Sequence, residues 1–240
     1  VQVVVNITKT EAGQSAPLFS RKVDLTEFAQ EQVLMKHDEA RTTAIHEASH
    51  AVGNVPEITG QKVSYITIRG GTSGIGENKI RYMGYARSKQ IDGYTSPTHA
   101  IVVGQIARIA AGAVGETIYG QPMSGGWADD LSKIRNLART ALINFGFDSR
   151  FHGIQIDAQG APIMSEAKRR QFEAAMNKLI QEGMDLARST LTANWDYVLK
   201  VADELMNKGD IDGDRFEAIG KNLKKSNSNK LRMCLGFYGG

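Results

Sequence analysis

His46-Glu47-Ala48-Ser49-His50 sets two imidazoles four residues apart. On an α-helix those positions share one face a turn apart, so both rings can reach a single Zn²⁺. Glu47 stands one residue along and reaches a metal-bound water rather than the metal. A carboxylate so placed serves as general base for peptide-bond hydrolysis. With 5 His and 13 Glu in 240 residues, chance supplies this pattern roughly 0.006 times, so it calls for a chemical explanation.

A catalytic zinc needs three protein ligands and one open position. The other histidines are weak candidates for the third. His37 lies nine residues before His46, about 180° around a helix, and faces away. His99 stands beside a helix start and His152 beside a glycine turn, where solvent-facing or capping roles are common. Three carboxylates stand out instead: Glu116 near the end of a helix of small residues, and Asp129 and Asp130 at the start of the next. Adjacent acids at a helix N-terminus also cap it and complement its dipole, and periodicity alone does not choose among the three.

The elements that position these residues follow from pattern. Val1–Thr8 reads as a short strand, residues 11–17 as a loop, and a helical pattern begins near Leu25. A second, stronger helix is expected over Asp38–Val55, slimmed by Ala40, Ala44, Ala48 and Ala51 and stopped by Pro56. Lys62–Arg69 and Ile80–Arg87 read as strands around a glycine-rich turn at Gly70–Gly76. No Gly-x-x-x-x-Gly-Lys-Ser/Thr occurs, so a hairpin fits that turn better than a phosphate cradle. Ser96-Pro97 opens a helix to Ile118, and Gly120–Gly126 is a loop. Helices then follow over Ala128–Phe145, Ser165–Ala193, Asn194–Lys208 and Asp212–Ile219, and Lys221–Gly240 reads as a mobile tail.

Composition narrows the partners. The 41% hydrophobic and 23% charged content is ordinary for a globular protein. A net charge of +3 is too small to argue for nucleic acid. Cys234 is the single cysteine, which precludes an internal disulfide or a cysteine metal site and suits a cytoplasmic or other reducing compartment. No run of about 18 apolar residues is present, so no membrane span is expected. The opening Val1 suits a processed chain or a fragment.

Several ordered stretches resemble the peptidase domain of FtsH-type membrane-associated AAA metalloproteases. His46–Val52 resembles that family's His-Glu-Ala-Gly-His-Ala, and Val63–Gly70 its strand ending in Pro-Arg-Gly. Ala110–Gly120 (AAGAVGETIYG) is similar to Gly-Gly-Arg-x-Ala-Glu-Glu-x-x-Phe-Gly. Ser124–Arg139 (SGGWADDLSKIRNLAR) is similar to Thr-Gly-Ala-x-Asn-Asp-Leu followed by a helix. The resemblance covers roughly Asp38 to Lys221. It implies that Asp130 is the third zinc ligand and that Asp129 is the better candidate for the cap. Gly115 replaces the first of the family's paired glutamates and Glu116 matches the second, which suits orienting a zinc-bound imidazole. Ser49 in place of glycine is a small change.

The expected fold is mainly α (α+β): a helical zincin-type peptidase domain with a small β-sheet beside the active-site helix. Residues 1–35 form an N-terminal extension, 36–222 the peptidase domain and 223–240 a flexible tail. The implied activity is zinc-dependent endopeptidase action on unfolded or flexible proteins, with Glu47 as general base. The competing reading is a catalytically silent binding or assembly module, motivated by the missing AAA ATPase sequence. The resemblance further implies protein or peptide substrates, an ATPase in trans or on a missing part of the chain, and hexameric assembly. Membrane association would come through partners or missing segments.

Overall fold

The computed structural model describes residues 2–11, 14–73, 80–91, 96–121 and 127–223, with side chains from 38 onward apart from 71–73 and 80–82. The chain divides into two units after Arg41. In the first, strand β1 (Gln2–Glu11) pairs antiparallel with β2 (Gln14–Asp24). Residues 14–17, expected as loop, are therefore strand. Pro17 is accommodated beside a register shift between Ile7 and Thr8, an irregularity that tolerates a residue without an N–H. Helix α1 (Leu25–Val52) follows as one 28-residue helix rather than two. Its sequence holds no Gly or Pro to interrupt it.

Pro56 does not terminate α1. The helix closes at Val52, and Pro56 opens the single-turn α2 (Pro56–Thr59), where its fixed φ suits a first position. Strand β3 (Gln61–Thr67) then pairs antiparallel with β6 (Tyr85–Gln90). The strand expected over Ile80–Arg87 is split at Met83-Gly84. Its first half is β5 (Ile80–Tyr82), which pairs with β4 (Gly71–Ser73) as a separate ribbon. The rest of the glycine turn, residues 74–76, lies outside the described residues. An unforeseen strand, β7 (Asp210–Asp212), covers the other side of β3, giving the order β6-β3-β7. Three residues with one buried apolar side chain, Ile211, carry too little alternation to be read from sequence.

The helical layer is built from α3 (His99–Ile118), α4 (Ala128–Ile143), α5 (Glu166–Ala193) and α6 (Trp195–Lys208), with a further helix, α7, over residues 213–223. Thr98 caps α3 by accepting from the Ile101 amide, and Ser165 caps α5 by accepting from the Lys168 amide. The fold is thus mainly α with a small antiparallel sheet, as expected.

One core joins α1 (Ala44, Ile45, Ala48), the sheet (Val63, Ile66, Ile211), α3 (Ala107, Ala111, Val114) and α6 (Val198, Val201, Leu205). A second joins α3, α4 and α5 through Val102, Ile106, Ile134, Ala138 and Leu179. Both clusters use α3. It is long and apolar enough to cross a membrane by length and composition, but 61% of that stretch is buried inside the protein. Its small residues give close packing. A Cβ at Gly53, just past α1, would lie 2.5 Å from the Ala111 Cβ, and one at Gly183 of α5 would collide with Ile106. Residues 224–240, including Cys234, lie outside the described residues.

Candidate metal centre

His46, Glu47 and His50 occupy the last two turns of α1, whose neighbours Ala44, Ile45, Ala48 and Ala51 are buried in the core and fix the helix's roll. The i, i+4 spacing brings the two Nε2 atoms within 2.9 Å. Asp130, in the first turn of α4, aims Oδ2 at both: 3.5 Å from His46 Nε2 and 3.1 Å from His50 Nε2. Three ligand atoms therefore converge. Bonds of 2.0–2.1 Å in a tetrahedral site imply ligand separations of about 3.3 Å, close to all three observed values.

The histidine tautomers follow from the opposite ring atoms. His46 Nδ1 donates to Glu116 Oε1 at 2.7 Å, and His50 Nδ1 donates to the Arg108 carbonyl at 2.9 Å. With both Nδ1 positions protonated, each neutral ring presents an Nε2 lone pair to the other and to a carboxylate. Three acceptors facing one another repel unless they share a proton or a cation. Gly112 of α3 leaves the room for it: a Cβ there would lie 2.5 Å from His46 Nε2 and 2.7 Å from His50 Nε2. The residues present thus fit a tetrahedral metal ion.

The electrostatics agree. Burial opposes charge on His46, but its hydrogen bonds to Asp130 and Glu116 outweigh that and raise its pKa to about 9. Burial would also raise the Asp130 carboxyl, yet the two imidazoles hold it far below the carboxylate range. The other Asp130 oxygen, Oδ1, accepts from Lys133 Nζ at 3.2 Å, which keeps Oδ2 turned toward the rings.

Glu47 is almost fully buried beside this group, and its Oε2 has no hydrogen-bond partner among the described residues. Burial pushes its pKa up, against the pull of His50 and His46. Gly84, one residue before β6, lies against it: a Cβ there would come within 2.9 Å of Glu47 Cγ. The start of a sheet strand thus borders the Glu47 carboxylate.

The structure brings His46, His50, Asp130, Glu47 and Glu116 together. It keeps the other candidates away. His99 pairs with Glu182 at 3.3 Å, and His152 Nε2 donates to the Gly146 carbonyl. His37 lies on α1 with its side chain outside the described residues. Asp129 is not the helix cap. Trp127 holds that position without a side-chain bond, while Asp129 sits in the first turn and pairs with Lys133 at 2.6 Å. Sequence reasoning passed over Gly112, Gly84 and Arg108. The first two act by having no side chain, and the third supplies a main-chain oxygen.

Comparison with known proteins places the chain. The model of a family described as Peptidase family M41 matches residues 33–219. The ATP-dependent zinc metalloprotease FtsH of Lancefieldella parvula is 24% identical over 204 residues, covering 82% of this chain and 30% of that protein. The protein of the same name from Mycoplasmopsis synoviae is 28% identical over 202 residues, covering 78% and 29%. That of Rickettsia typhi is 26% identical over 252 residues, covering 95% and 38%. The chain therefore spans about a third of the length of the curated relatives it matches. With the family model covering most of its residues, the chain belongs to peptidase family M41.

Proposed function

We propose that this chain is the zinc endopeptidase module of an ATP-dependent protease and hydrolyses peptide bonds of unfolded or flexible proteins. The observation that carries the reading is the pairing of three converging ligand atoms with the buried carboxylate of Glu47, whose Oε2 has no hydrogen-bond partner among the described residues. A carboxylate held so costs stability and has no structural use here. A silent binding module would have no need of it.

His46, His50 and Asp130 would hold the ion, and Glu116 and the Arg108 carbonyl would fix the imidazole tautomers. Bound Zn²⁺ would supply Lewis acidity to a scissile carbonyl and bring the pKa of a water at its open position toward ~7. Glu47 would accept a proton from that water and return it to the leaving amine. Its upward-shifted pKa suits a group that must hold a proton between the two steps.

Among the described strands β6 lies at the end of its sheet, and Gly84 brings its start against Glu47. An extended substrate adding to that edge would gain main-chain hydrogen bonds with little sequence preference. Residues 36–222 would form the peptidase domain, 1–35 an extension and 223–240 a tail. The ATPase would be carried by another chain or another part of this protein, and assembly would be hexameric.

Glu47→Gln tests the assignment. Purified wild type is expected to hold zinc and cleave a flexible peptide. The variant is expected to hold the same zinc and lose activity by about 10²- to 10⁴-fold. Normal cleavage by the variant would overturn the role of Glu47. Zinc-loaded wild type that cleaves neither peptide nor unfolded protein, with or without ATP, would overturn the peptidase reading.

A further inference from the structure

Arg108 is a half-buried cation that the hydrolysis proposed above leaves unused. It lies one turn before Gly112 on α3, so it belongs to the helix stripe that meets the two imidazoles. Its carbonyl accepts from His50 Nδ1. Its guanidinium Nε is shielded from solvent and has no hydrogen-bond partner among the described residues. Burial lowers the pKa of the group and the charge of Asp130 raises it. The head group therefore feels the field of the metal centre, although the two residues form no ion pair.

Asp130 does not hydrogen-bond this cation. Its Oδ2 is turned to the histidines and its Oδ1 is held by Lys133. A guanidinium keeps its charge at any physiological pH, and an orphaned buried donor is costly. A partner for Nε supplies an acceptor, and one that also carries negative charge complements the cation. A peptide carbonyl offers the first alone, whereas a carboxylate offers both and matches the planar fork of the guanidinium.

We propose that Arg108 is a specificity-determining residue that binds a carboxylate of the substrate beside the cleaved bond, borne by an acidic side chain or by the C-terminus. This inference rests on the peptidase reading.

Four peptides separate the sources: Glu or its isostere Gln beside the cleaved bond, each with a free or an amidated C-terminus. Wild type is expected to favour the carboxylate-bearing member of one pair by about 10- to 100-fold in kcat/KM. Side-chain recognition shows as Glu over Gln, and terminal recognition as free over amidated. Arg108→Met should bring that ratio near one, Arg108→Lys should keep part of it, and Arg108→Glu should shift preference to a Lys-bearing peptide. Dissociation constants for the Glu47→Gln protein should show the same ratio without turnover. The wild-type comparison stands even if an Arg108 variant fails to fold. Equal kcat/KM and equal binding across all four peptides would overturn the inference and leave the peptidase reading intact. Selective binding without any hydrolysis would do the reverse.

Discussion

One methyl group added at position 115 should strain the contact between α1 and α3 directly behind the metal centre. A Cβ built on Gly115 falls on Ser49 Oγ and lies 2.6 Å from Ser49 Cβ. Carbon atoms pack at about 3.5–4.0 Å, so the overlap is close to 1 Å. Ser49 is fully buried, and its hydroxyl donates to the Ile45 carbonyl at 2.7 Å, a bond that turning the side chain away would break. Two helices must absorb the misfit, and overpacking of this kind costs about 1–3 kcal/mol. Ser49→Gly alone costs about 0.5 kcal/mol in helix propensity. In the double variant the colliding atoms are gone, so the two costs should not add. The coupling should be about 1–3 kcal/mol in favour of the double variant. Urea unfolding of the four metal-free proteins at constant m-value measures it. Additivity within about 0.5 kcal/mol would refute the packing account.

Two further expectations concern the ion itself. Gly112→Ala places a methyl 2.5 Å from His46 Nε2 and 2.7 Å from His50 Nε2; it should abolish stoichiometric zinc binding while circular dichroism shows the helices retained, and a zinc-replete Gly112→Ala protein would refute the site geometry. Zinc affinity should also rise with pH, because the ion must displace the proton that His46 holds up to about 9 in the metal-free protein. At pH 7 that proton alone weakens binding by about 100-fold relative to its absence. Competition titrations that give equal affinities at pH 7 and 9 would contradict it.

The first half of the site was legible because its chemistry is local. Two histidines and a glutamate within one helical turn must share a neighbourhood whatever the rest of the chain does. Asp130 is different: 80 residues separate it from His50, and only a resemblance singled it out from Glu116 and Asp129. The packing of α4 on α3, through Ile134 and Ala138 against Val102 and Ile106, is what carries it to the imidazoles. Short strands were hardest. β7 exists because Ile211 seals β3 from the side opposite β6, a tertiary fact with no local signal. β2 was obscured by Pro17, whose missing amide is absorbed by a register shift.

The geometry also bears on how the segment Ala110–Gly120 aligns with Gly-Gly-Arg-x-Ala-Glu-Glu. Setting Glu116 opposite the second glutamate puts Gly112 opposite the arginine and Gly115 opposite the first glutamate. Side chains at those two positions would run into His46 and Ser49. Sliding the segment by one residue sets Gly112 opposite the second glycine, Gly115 opposite alanine and Glu116 opposite the first glutamate, and gives up the match of Tyr119-Gly120 to the motif's closing Phe-Gly. No side chain then meets an imidazole. Both Gly112 and Ala113 are buried, so the arginine does not discriminate between the two registers. Position 115 does, together with position 49, where the family motif has glycine. Alanine facing glycine in that motif and Gly115 facing Ser49 here fill the same space with the bulk on opposite helices. On the shifted register the Ser49→Gly, Gly115→Ala variant carries the motif's own pair and should recover stability. The Ser49→Gly, Gly115→Glu variant should not, because it buries an unpaired carboxylate between α1 and α3. Equal stability of the two double variants would return the unshifted register.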